Sequence, residues 1–218
     1  MLIFVFLVAI KSLGGLFALG GQVRDCSVLQ NRPEAKIKQA IKKYIKWALR
    51  DAGIQTKPGA IPTYTIYAQE EGEPVVAAVS KLNRRLGALC KRYQEAQSGL
   101  SLTKLRQSRG LSSNVKVKQE TEDSTSEPFG PYFPLLVGFV ICGPIVAILT
   151  LDTDPLSPKD LADSDIGSKF ISQFDVGEHG QDVWTSLAVA ITTMHIRQTM
   201  VRLAEDGGGV YRSTGVVS

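Results

Sequence analysis

The chain has 218 residues, 44% of them hydrophobic and 21% charged, with a net charge of +4. These totals exclude disorder throughout and leave room for one domain of ordinary size with an anchor or a tail. The charge is uneven: up to Lys118 there are 20 basic and 7 acidic residues, and from Gln119 onward 5 and 14. A basic amino-terminal half suits a well-solvated surface, an anionic lipid or a nucleic acid. Cys26, Cys90 and Cys142 are scattered and odd in number, which excludes a complete intramolecular disulfide framework and points to a reducing compartment.

The opening segment MLIFVFLVAIKSLGGLFALGG, residues 1–21, is apolar except for Lys11 and Ser12 over about one membrane thickness. It reads as a single transmembrane or signal-anchor helix. A cleaved signal and a buried core helix are the rival readings, and the charged start of a signal peptide is missing. Residues 22–33 read as a juxtamembrane linker. Next comes a basic helix over residues 34–50, with Ile37, Ile41, Ile45 and Leu49 recurring on one face, Pro33 at its start and Gly53 past its end. Its Lys36, Lys38, Lys42, Lys43, Lys46 and Arg50 would place this side in the cytoplasm and attract anionic lipid.

IPTYTIYAQEEGEPVVAAVSKL reads as a hairpin: Thr63 to Ala68 favour a strand, Gly72 centres a polar turn, and PVVAAVSKL returns to about Leu82. A competing stripe, Val75, Val79, Leu82, Leu86, Leu89 and Tyr93, has helical spacing, and Pro74 would open that helix. From NRRLGALCKRYQEAQ onward the chain reads as helix. A short helix and turn at SGLSLTKLRQSRGLSS, a short strand at NVKVK and an acidic loop at QETEDSTSEPFGP follow. The basic clusters at Arg84, Arg85, Lys91 and Arg92, and at Lys104, Arg106 and Arg109, come without a phosphate loop or interleaved aromatics, so a nucleic-acid partner is not expected.

FPLLVGFVICGPIVAILTLDTD, residues 133–154, is long enough to span a membrane. Gly143-Pro144 punctuates its middle, and its flanks are acidic: Glu120, Glu122, Asp123 and Glu127 before it, Asp152 and Asp154 after it. A buried β-hairpin of two central strands is the better reading. A loop, with or without a short helix, fills TDPLSPKDLADSDIGSKFISQFD. A long helix covers QDVWTSLAVAITTMHIRQTMVRLAED, with Val183, Leu187, Ile191, Met194 and Val201 as its apolar side. The Gly207–Gly209 run ends it, and residues 206–218 read as a flexible tail.

This order resembles a GAF domain. YFPLLVGFVICGPIVAILTLDTDPLSPKD followed by TSLAVAITTMHIRQTMVRL is similar to the family's hairpin and terminal helix, with Asp152 where the family often has Asp and Ala147 where it usually has Gly. YTIYAQEEGEPVVAAVSKL resembles the family's first hairpin, and LTKLRQSRGLSSNVKVKQ its segment ending in a short strand. The resemblance implies an α+β fold over residues 34–205, with a central antiparallel sheet flanked by helices and preceded by the amino-terminal membrane helix. It implies a membrane-tethered, cytoplasmic small-molecule sensor that signals through helix packing, a homodimer or a partner protein. No ligand-binding residue or cofactor carries over. The alternative is a non-enzymatic, membrane-associated scaffold with no ligand. No catalytic signature is present: His179, near Glu178 and Asp182, reads as a solvated loop histidine and not a metal ligand, His195 as a helix-surface residue or one satisfied in packing, and Cys142 as an inert thiol. The lipid contacts are expected through residues 1–21 and 34–50.

Overall fold

The computed structural model describes residues 12–54, 60–110, 132–156 and 167–205, with the backbone alone over 98–110. Residues 12–17 are helical and continue, after a break at Ala18, into α1 (Leu19–Val28). Helix α2 (Glu34–Asp51) leads to β1 (Tyr64–Ala68), α3 (Val75–Gly110), the strands β2 (Leu135–Cys142), β3 (Ile145–Asp152) and β4 (Lys169–Asp175), and α4 (Asp182–Glu205). The fold is α+β, built on a four-stranded mixed sheet in the order β1-β2-β3-β4.

The hairpin at residues 133–154 forms. Strands β2 and β3 pair antiparallel from Leu135↔Asp152 to Cys142↔Ile145 and occupy the middle of the sheet. A two-residue turn suits such a hairpin when its first residue takes a positive φ, and Gly143 does so at 60° without a Cβ to strain. The Pro144 carbonyl accepts the Val176 N–H at 3.0 Å, tying the turn to the loop before α4. At the open end Thr153 donates its hydroxyl to the Pro134 carbonyl at 2.7 Å. Six consecutive residues of β2, Leu136 to Ile141, are buried, so both faces of the strand are covered.

One face is covered by α3, which packs on β1, β2 and β3. The approach is close at Gly138: a Cβ there would lie 3.0 Å from Leu86 and 3.1 Å from Leu82. On the other face α2 packs against β1 and β2, with α4 beside it and α1 against it. Helices α2 and α4 run parallel: Arg197, late in α4, donates to the Ala48 carbonyl and to Asp51, both late in α2, at 3.3 Å each. Leu16, Leu19, Ile37, Ile41, Val146 and Val189 enclose a gap of only about 10 Å³ where helix 12–28, α2, α4 and the sheet meet. That is space for one water at most.

Several expectations are corrected. The sheet is mixed and not antiparallel, because β1 lies parallel to β2, from Tyr64↔Val137 to Ala68↔Ile141. The reason is the helical stripe after Pro74. Ala78, Leu82, Leu86, Leu89 and Tyr93 are buried, so PVVAAVSKL is the start of α3 and not a returning strand, and the chain crosses over before it re-enters the sheet. KFISQFD, read as part of a loop, is the edge strand β4, antiparallel to β3 with a bulge between Ile148 and Leu149. Among the described residues no helix is long and apolar enough to cross a membrane. Residues 1–11 of the expected membrane helix lie outside the described residues, while residues 12–21 are helical and bury Leu16 and Leu19 in the domain core. Residues 22–33, read as a linker, hold most of α1, whose Val23 and Cys26 are also buried. The NVKVK strand, the acidic loop, any helix over 157–166 and the tail at 206–218 lie outside the described residues.

Helix α4 exists as expected but turns the other way. Its buried residues are Thr185, Ser186, Val189, Ala190, Thr193, Ile196, Thr199, Met200 and Leu203. Val183 and Ile191, expected in the core, are exposed, and Leu187, Met194 and Val201 are half-buried. Small side chains on the inner face let α4 lie close to α2. The Ser186 hydroxyl is satisfied within the helix, donating to the Asp182 carbonyl at 2.6 Å.

Helix α1 is fastened at one point. Arg24 donates two hydrogen bonds to the Asp182 carboxylate, at 3.0 and 3.2 Å, in the paired geometry that guanidinium and carboxylate favour. One turn earlier, an added Cβ at Gly20 would fall 1.6 Å from the Asp182 Oδ1 and 3.0 Å from the Val176 carbonyl oxygen. At Gly21 the nearest atom would be an Arg24 nitrogen at 3.9 Å. Ala is favoured over Gly in a helix interior by about 1 kcal/mol. Gly21→Ala is therefore expected to raise stability by up to that amount, whereas Gly20→Ala lowers it despite the same propensity gain. Urea unfolding of the two variants checks this, and equal midpoints would contradict the close approach.

Candidate binding groove

A groove of about 410 Å³ opens between residues 12–22 and α2. Ser12, Gly15, Leu16 and Gln22 form one wall, and Lys36, Gln39, Ala40, Lys43 and Tyr44 form the other. The α2 residues recur over successive turns, as a helix requires for one lining. Ile37, Ile41 and Ile45 point into the core, which leaves Lys36, Gln39 and Lys43 on the outer side. The opposite wall is recessed because Gly15 has no side chain, and a Cβ there would meet nothing within 4 Å. Tyr44, buried, also lines the groove, with its ring 5.2 Å from that of Trp47. Burial raises its phenol above the ordinary range, so it remains a neutral hydroxyl. The result is two ammonium groups, two amides and two hydroxyls beside an apolar strip at Leu16 and Ala40. Such a set has the donors that an anion with an apolar extension would require.

A second polar cluster sits at the carboxyl ends of the parallel strands β1 and β2. Tyr67 donates to Glu73 at 2.8 Å, Lys81 pairs with Glu73 at 2.9 Å and Glu70 at 3.3 Å, and the Glu70 backbone N–H donates to Glu73 at 2.9 Å. Arg85 lies over the Tyr67 ring at 4.8 Å. Arg32 donates to the Gln69 carbonyl at 2.6 Å and to Glu34 at 3.0 Å, and the Glu34 pairing raises the Arg32 pKa further. These contacts clamp the turn from β1 to α3, while the second carboxylate oxygen of Glu34 is buried without a hydrogen-bond partner.

The residues weighed from the sequence fall as follows. Cys142 ends β2, half-buried, and its thiol is pushed up by burial and by the charges of Glu73 and Glu34, which keeps it protonated. His179 is exposed, and its neighbour Asp182 is held by Arg24. Among the described residues no three His, Cys, Asp or Glu side chains are grouped to hold a metal. His195 is exposed on α4, and Arg84, Lys91 and Arg92 are exposed along α3. The side chains of Lys104, Arg106 and Arg109 lie outside the described residues. Of the groove, sequence reasoning marked Lys36 and Lys43 as lipid-attracting, with Tyr44 beside the apolar face. It missed Gly15, Gln22 and Gln39, for which only the folding of residues 12–22 back onto α2 supplies a signal. Comparison with family models, curated proteins and solved structures finds no match for this chain.

The Glu73 carboxyl is held below its ordinary range, first by the Glu70 backbone N–H, against some desolvation, and then by Lys81 and Tyr67. A depressed carboxyl stabilises the fold above its unfolded pKa, and that contribution is lost as pH falls through the folded value. Glu73→Gln is expected to lower the unfolding midpoint at neutral pH and to narrow its gap from the parent as pH drops below the carboxylate range. Thermal unfolding across an acid pH series measures this.

Proposed function

We propose that the chain is a membrane-tethered regulatory module that holds an anionic small molecule or lipid headgroup in the groove between residues 12–22 and α2. The observation that carries this reading is the facing of Lys36, Gln39 and Lys43 across a ligand-sized space from a wall of Ser12, Gly15, Leu16 and Gln22. The tether is the apolar start of the chain, residues 1–10, since residues 12–28 pack as part of the domain, and the basic α2 favours the cytoplasmic side. Signalling follows from the groove's construction. One wall belongs to the helix that Arg24 fastens to Asp182, so an occupant that prefers one seating of that helix biases α4 as well. The GAF resemblance supports this through the β2–β3 hairpin, Asp152 at its end and the terminal helix. The parallel β1 departs from it.

A ligand-free scaffold is the second reading, and one observation favours it. Phe139 is fully buried, and among the described residues the gap beside Val146 and Val189 holds about 10 Å³, too little for a small molecule. The groove therefore decides between them. In calorimetry with the full chain, dihexanoyl phosphatidylglycerol and glycerol phosphate test the lipid and the free source, with dihexanoyl phosphatidylcholine as the zwitterionic, net-neutral control. Binding of an anionic probe is expected, weakened about tenfold or more by Lys36→Gln with Lys43→Gln, since hydrogen bonds to charged groups contribute about 1.5–3 kcal/mol each. Binding of the lipid but not glycerol phosphate assigns a lipid source. No binding of either supports the scaffold.

A further inference from the structure

Helix α4 presents its most apolar stripe to solvent. Trp184 and Ile191 are 68% and 69% exposed and Val183 is 53% exposed, with Leu187 half-buried between them. Scattered exposed apolar residues are ordinary, but a continuous stripe over two helical turns marks an interaction surface.

Its surroundings indicate which surface. Helix α2 lies parallel to α4 in the same layer, and its solvent side carries Lys43, Lys46 and Arg50. Helix 12–28 lies against both, with Leu16 meeting α2 and α4 at one gap, and Phe17 beside it is 37% exposed. The chain arrives there from residues 1–10, which contain no charged side chain. An apolar stripe, a row of cations and the entry of an apolar segment therefore share one side of the sheet.

We propose that this side lies on an anionic lipid surface, with Trp184, Leu187 and Ile191 entering the interfacial region and Lys46 and Arg50 over the headgroups. The proposal rests on the membrane reading above and not on the groove being filled. Charge decides the occupant. A second copy seated on the same stripe would bring two cationic α2 helices together, whereas anionic headgroups pair with them. Tryptophan also suits a bilayer interface, where its ring is apolar and its N–H stays wet.

The test uses the full chain carrying Trp47→Phe, which leaves Trp184 as the one tryptophan. It is reconstituted in vesicles of phosphatidylcholine with one-third phosphatidylglycerol and in phosphatidylcholine alone, with and without brominated acyl chains. Blue-shifted Trp184 emission, quenched by bromine in the anionic vesicles and largely unquenched after Lys46→Gln with Arg50→Gln, is the expected result. Because Trp47 is half-buried, the parent and Trp184→Phe chains are measured in parallel. Quenching in the parent that disappears in Trp184→Phe supports the proposal, and quenching that persists there overturns it. Emission that stays water-exposed in both lipids overturns it. So does a blue shift that bromine leaves unquenched and that grows with protein concentration, since a second copy then covers the stripe. Quenching without short-chain lipid binding would sink the groove alone, and binding without quenching would sink this face alone.

Discussion

The structure depends on how closely α1 approaches the start of α4. At Gly20 the Asp182 carboxylate lies so near the α1 backbone that even a methyl group would overlap it, and Arg24 fills the next turn with a two-pronged ion pair. That contact turns an apolar amino-terminal segment into a structural element. It seats Leu16, Leu19, Val23 and Cys26 in the core and lays residues 12–22 beside α2. Without it the groove has one wall. The partly exposed ion pair is a weak source of stability by itself, and its value lies in setting register for the apolar contacts behind it.

The second constraint is the small-residue face of α4. Thr185, Ser186, Ala190 and Thr193 are narrow, so the helix packs against α2 with Arg197 reaching the Ala48 carbonyl. Placing Thr and Ser inward leaves Trp184, Leu187 and Ile191 outward. A helix with apolar residues on both sides lacks one inward direction in its own sequence, and its neighbours choose it. The inner face fits a close neighbour by size, and the outer stripe keeps the larger apolar groups.

This explains what the sequence disclosed. The β2–β3 hairpin was legible because Gly143-Pro144 fixes a turn locally and the acidic flanks argue against a span. The α2 helix was legible because Ile37, Ile41 and Ile45 are isoleucines among lysines, a pattern with one solution. The existence of α4 was legible from its length and lack of breakers, but its orientation was not, because Leu187 and Ile191 outrank Thr185 and Thr193 on any hydrophobicity scale. The start of α3 was ambiguous, since Val75, Val76 and Val79 suit a strand while Leu82 and Leu86 extend a helical stripe. Strand β4 was hidden because KFISQFD is mostly exposed at the sheet edge and shows no clean alternation. The groove lies between two segments with no shared motif, so only Lys36 and Lys43 carried a hint of it.

The central claim is that residues 12–28 form a docked part of the domain, from which both the groove and the outward face follow. Hydrogen exchange on the full chain in bilayers tests it most directly, by comparing backbone amides in α1 with those in α2. The account predicts that residues 19–28 exchange as slowly as the middle of α2 and lose that protection when Arg24 and Asp182 are both replaced by Ala. Fast exchange of residues 19–28 in the parent chain, with α2 still protected, would contradict it.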